Sequence, residues 1–157
     1  MALRALLIIM FLATVLGQVV SWPGEISSWT REGSPFEALR WPLIIAAVLV
    51  LLCVQVVIVA TWKLLTMVKA DRIFSSSAFS WVDVIVYALG AAWGLFAAST
   101  TAIVAVLYFT PALRDPGTPI MLGGMVLTGG VVFLLMLVLR ALLRQAAGLR
   151  SDMDEVI

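Results

Sequence analysis

The sequence predicts an all-α fold: an integral membrane four-helix bundle, N-in and C-in, with an amphipathic helical extension at its C-terminus. Composition is the first observation behind this. Of 157 residues, 63% are hydrophobic and 12% charged, with a mean hydropathy of +1.13. A soluble domain usually carries about 25% charged residues, so these charges are too few to cover a water-facing surface. The second observation is four apolar runs, at residues 5–22, 41–67, 82–109 and 120–139. A helix crosses a ~30 Å hydrocarbon layer with ~20 apolar residues at ~1.5 Å each, a standard the first run only just meets. The third is the placing of Lys and Arg in short flanking segments. Arg4, Lys63, Lys69, Arg72, Arg140, Arg144 and Arg150 fall on one side, and Arg31, Arg40 and Arg114 on the other. Seven against three puts the N-terminus, the 69–80 connection and the tail in the cytoplasm.

Taken in order, the first run has Arg4 ahead of it and Val19-Val20-Ser21 near its end, the outline of a signal peptide. It lacks an A-x-A site, so a retained helix is expected. Residues 23–40 read as an outer loop. Pro42 opens the second helix, where its missing N–H costs nothing. Thr110-Pro111 and Asp115-Pro116-Gly117 punctuate the outer turn before the fourth helix. Trp22, Trp29, Trp41, Trp62 and Trp81 lie near the expected interfaces, where amphipathic rings settle. Short connections make sequential helices antiparallel neighbours within one transmembrane domain, residues 1–157. Residues 140–157 form the cytoplasmic tail. Leu139, Leu142, Leu143, Ala146 and Ala147 recur there at helical spacing, with Arg140 and Arg144 offset from them. Gly148 weakens or ends this extension, and Asp152, Asp154 and Glu155 close the chain.

In lipid, helices associate through close backbone approach and interhelical hydrogen bonds. Gly90 and Gly94 form a GxxxG on the third helix, and Gly123, Gly124, Gly129 and Gly130 crowd the fourth. Such faces serve packing within one chain, the favoured reading, or a homo-oligomer through Gly90 and Gly94.

The absence of His and the single Cys53 exclude a His-held haem or zinc, a His-based triad, a disulfide within the chain and a CxxC pair. No metal site or cofactor is expected, and no catalytic residue is assigned: an enzyme is the least favoured class, since without His a nucleophile would need a Lys or carboxylate base and only Lys63 and Asp83 are suitably placed. A net charge of +1 with no basic stripe argues against direct nucleic-acid binding. The candidate residues are those whose polarity is costly near lipid. Asp83, with Tyr87 one turn on, Lys63, Arg140 and Arg144 converge by depth at the cytoplasmic interface, beside Asp71 and Arg72 of the connection. Two readings stand: a ligand or ion site, or an ion-pair cluster in which Asp83 meets Lys63 or an Arg and pins the helix bases. Gln55 sits near a midplane and Gln18 nearer the outer end. Either they form an interhelical hydrogen bond, or Gln55 lines a polar path of a transporter or channel subunit.

Lys69-Ala70-Asp71-Arg72-Ile73-Phe74-Ser75, followed by Phe79-Ser80-Trp81-Val82-Asp83, resembles the signature loop of the bacterial DUF2975 membrane proteins. The ending LRALLRQAAGLRSDMDEVI is similar to that of actinobacterial members. The resemblance implies a four-span protein of the bacterial inner membrane with no assigned biochemistry, often encoded beside a small helix-turn-helix regulator. The functional expectation is a regulatory or scaffold protein that contacts a cytoplasmic partner, and not an enzyme.

Overall fold

The computed structural model describes residues 2–69 and 76–155. These residues form five α-helices and no strand: α1 (Ala2–Leu16), α2 (Trp22–Trp29), α3 (Arg40–Lys69), α4 (Ser76–Phe109) and α5 (Gly117–Glu155). Four stretches are long and apolar enough to cross a membrane: Leu3–Trp29, Glu37–Val68, Ala78–Phe109 and Gly117–Leu149.

The first of these departs from the expected outline. Instead of stopping at Trp22, the helix passes through one π turn (Gly17–Ser21) straight into α2, so the beginning of the expected outer loop is helical. Pro23 supplies the reason. It has no N–H for the carbonyl one turn back, and its ring would collide with that carbonyl in a regular helix. Widening the preceding turn, where the Trp22 N–H donates to the Gly17 carbonyl, lets the chain pass without breaking. Pro23 then stands in the first turn of α2, where a missing donor is harmless. Thr30 ends α2 and is fully buried, its N–H and hydroxyl both donating to the Ile26 carbonyl at 3.1 and 2.6 Å. Gly33 turns the chain with φ +80°, a conformation other residues adopt only under strain, and its N–H donates to Glu37 Oε2 at 2.9 Å.

The bundle assembles in chain order. α1 lies on α3, α3 makes its most extensive contact with α4, and α4 lies on α5, while α2 caps α3 near the crown. No comparable contact joins α1 to α5 among the described residues, so both flank an open array. The buried apolar residues are few: among the described residues they include Leu7 and Ile58, which line the groove between α1 and α3, and Ala60, Ala78, Val86 and Ala88 of α3 and α4. Large apolar side chains are exposed along every long helix, an arrangement water would penalise and lipid does not. Neighbouring long helices run antiparallel. One end, here the base, carries the start of α1 and the end of α5; the other, the crown, carries the turns at 30–39 and 110–116.

At the crown, Asp115 starts α5. Its carboxylate accepts the Gly117 N–H at 3.1 Å, the Thr118 N–H at 3.2 Å and the Thr118 hydroxyl at 2.9 Å. These donors favour the charged form and hold the Asp115 carboxyl below its usual range, the Gly117 N–H contributing most. A lowered acid contributes stability above its unfolded pKa and loses it as pH falls through the lower folded value. The carboxyl carbon of Asp115, followed by NMR, is therefore expected to titrate below an unstructured aspartate; a midpoint at or above the ordinary value would contradict this cap. α5 itself runs 39 residues without interruption, through Gly148. At ~1.5 Å per residue that is about 58 Å, nearly twice a hydrocarbon layer.

Candidate functional site

Asp83 and Tyr87 are four residues apart on α4, and Arg140 and Arg144 four apart on α5, so each pair occupies one helix face. Antiparallel contact brings the two faces together at the base. Arg140 Nε donates to Asp83 Oδ1 at 2.6 Å, and Arg144 Nη2 donates to Oδ2 at 2.7 Å. One turn deeper, the Arg140 guanidinium lies over the Tyr87 ring, 5.4 Å from its centroid. Each carboxylate oxygen is thus committed to a different arginine. The side chains of Asp83 and Arg140 are 24% and 20% exposed, whereas Arg144 is 55% exposed at the rim. Arg144 borders a shallow recess with Phe79, Ser80 and Ala147. Two guanidinium charges against one carboxylate leave the cluster at +1. Charge-assisted hydrogen bonds of this kind fix orientation as well as charge, and here they fix α5 against α4 where α5 leaves the apolar array.

The remaining sequence candidates go elsewhere. Lys63 lies on α3 and faces the α1–α3 groove, and among the described residues it pairs with no carboxylate. Asp71 and Arg72 lie outside the described residues. Gln55 Nε2 donates to Gln18 Oε1 at 3.0 Å, and Gln18 Nε2 to the Val48 carbonyl at 3.3 Å, so the two amides tie the π turn to α3. Ser99 and Thr101 donate to carbonyls of their own helix, at Leu95 and Ala97. Replacing Gln55 with Leu is expected to cost about 0.6–2 kcal/mol of stability. A double-mutant cycle with Gln18→Leu should show coupling, whereas additive losses would mean that the amides act independently.

Two features escaped sequence reasoning. The first is Trp93, the tryptophan that lies within a span and not at an interface. It donates from Nε1 to the Val126 carbonyl at 2.9 Å, stacks on Phe133 at 6.0 Å between centroids, and lies against Gly129 and Gly130. Phe133 in turn covers Gly90: a Cβ there would sit 2.8 Å from the ring. Gly90 is therefore used within the chain, whereas Gly94 faces open space. The second is Arg4, whose guanidinium lies 5.7 Å from the Trp62 ring centroid. Its position just before the first apolar run was the available signal.

Residues 27–157 match a family described as protein of unknown function, DUF2975. No curated protein and no solved structure matches the chain.

Proposed function

We propose, from the premise that this chain belongs to the DUF2975 family, that it is a regulatory or scaffold protein of the bacterial plasma membrane that engages a cytoplasmic protein through its base. The observation that carries this reading is the uninterrupted α5, clamped by Asp83 at Arg140 and Arg144 and continuing to Glu155. Residues 140–155 add about 24 Å of helix beyond the apolar run. A helix held this way presents a defined surface, where a free tail would pay an ordering cost on binding. Its acidic close, Asp152, Asp154 and Glu155, suits a basic partner surface, and a small helix-turn-helix regulator is the partner class the family resemblance suggests.

The alternative, a transporter or channel subunit with a polar path near Gln55, has less support because Gln55 is engaged by Gln18. Affinity capture from mild detergent tests the leading reading. The intact chain is expected to retain a cytoplasmic protein that is lost when the chain is truncated after Gly148. Equal recovery by both forms, or recovery by neither, would remove the basis of this function.

A further inference from the structure

Arg4 of α1 and Lys63 of α3 both lie at the base beside Trp62, apart from the Asp83 clamp. Between α1 and α3 runs a groove of about 280 Å³ lined by Leu7, Ile8, Phe11, Ile58 and Trp62, among others, with Lys63 at its edge. Leu7 and Ile58 form a buried floor at 8% and 7% exposure, while Ile8 and Val59 remain open at 48% and 45%. Lys63 is its one charged lining residue. Arg4 lies over Trp62, one helical turn before Ile8, so it belongs to the same rim. Arg4 Nε is buried without a hydrogen-bond partner, and neither Arg4 nor Lys63 has a carboxylate partner among the described residues. Arg140 and Arg144, by contrast, share Asp83. An apolar trough edged by two cations with no carboxylate partner among the described residues has the chemistry of a lipid tail below and an anionic headgroup above. Basic pockets between spans on the cytoplasmic side recognise such headgroups.

We propose that this groove binds one anionic phospholipid, its acyl chain along Leu7, Phe11 and Ile58 and its phosphate between Arg4 and Lys63. The proposal requires the base to lie at a membrane surface and does not depend on a protein partner. An isolated lysine extending to the interface would show no headgroup preference, so preference is the quantity to measure.

The full chain in mild detergent is offered phosphatidylglycerol and phosphatidylcholine of identical acyl chains in equal amounts, and bound lipids are counted by native mass spectrometry. The first lipid retained is expected to be phosphatidylglycerol, with a preference of about fivefold for each cation at the headgroup. The double variant Arg4→Gln with Lys63→Gln should bring the two lipids close to parity, and Arg144→Gln should leave the preference in place. With brominated acyl chains on phosphatidylglycerol, the quenching lost on Trp62→Phe should exceed that seen with brominated phosphatidylcholine, a comparison that does not rely on the charge variants. Equal retention of the two lipids by the native chain, a preference that survives the double variant, or equal quenching of Trp62 would overturn the proposal.

Discussion

Gly90→Leu is expected to separate α4 from α5 in their shared middle. The Phe133 ring already occupies the space above Gly90, with ring atoms 2.8 and 2.9 Å from where a Cβ would stand. Alanine could be met by a swing of that ring, since its edge is the mobile end of the side chain. Leucine cannot, because Phe133 is also stacked on Trp93 at an interplanar angle of 12°, and Trp93 is bonded to the Val126 carbonyl. Moving one ring disturbs the other. Overpacking of this kind costs about 1–3 kcal/mol. In lipid it is not offset by hydrophobic attraction between the helices, which is absent there. Unfolding in mixed micelles should show the graded order native, Gly90→Ala, Gly90→Leu. A Gly94→Leu control should be near neutral, since nothing lies within 4 Å of a Cβ at Gly94. If Gly94→Leu proves the more damaging, the small-residue face serves a second copy of the chain and not α5.

Asp83→Ala is expected to cause the largest loss of stability of any single charge removal in this chain. It deprives two guanidinium groups of their shared partner, and Arg140, only 20% exposed, has little access to water in exchange. Removing one member of a partly buried ionic cluster is more damaging than the pair's net contribution suggests, because the survivors keep their desolvation cost. Arg144→Gln should be milder, since that side chain is 55% exposed and screened by salt. Lys63→Gln should change stability little. Exchanging the charges, Asp83→Arg with Arg140→Asp, should recover part of what either substitution loses. Thermal unfolding of the detergent-solubilised variants supplies the comparison, and equal effects of Asp83→Ala and Lys63→Gln would show that the clamp does not hold α5.

Much of this architecture was legible because its causes are local. A run of apolar residues long enough to cross a bilayer forms a helix whatever its neighbours, since every backbone polar group must be satisfied within the segment. The four-residue spacings at Asp83 and Tyr87 and at Arg140 and Arg144 likewise define faces before any contact is known. What sequence left open depends on which helices meet. Asp83 had Lys63 and arginines at the same depth, and the choice falls on arginine because Lys63 faces α1 across α3 while α5 lies on α4. Trp93 can be accommodated mid-span only because Gly129 and Gly130, on another helix, leave room for an indole. Helix also runs past Pro23, where an outer loop is expected, and past Gly148, where the extension is expected to weaken or end. A π turn absorbs the first, and the second costs a helix only about 1 kcal/mol relative to alanine, too little to end one already under way.

The proposed function requires the base, with its Asp83 clamp and the projecting end of α5, to form one continuous cytoplasmic face. Single cysteines placed on a Cys53→Ser background at Gln145 and Gly148 of the base, and at the exposed Glu32 and Ala112 of the crown, test it directly with a membrane-impermeant maleimide. The base positions are expected to react in inverted vesicles and stay protected in right-side-out ones, with the crown positions showing the opposite pattern. Labelling of Gln145→Cys and Glu32→Cys from the same side would contradict this topology.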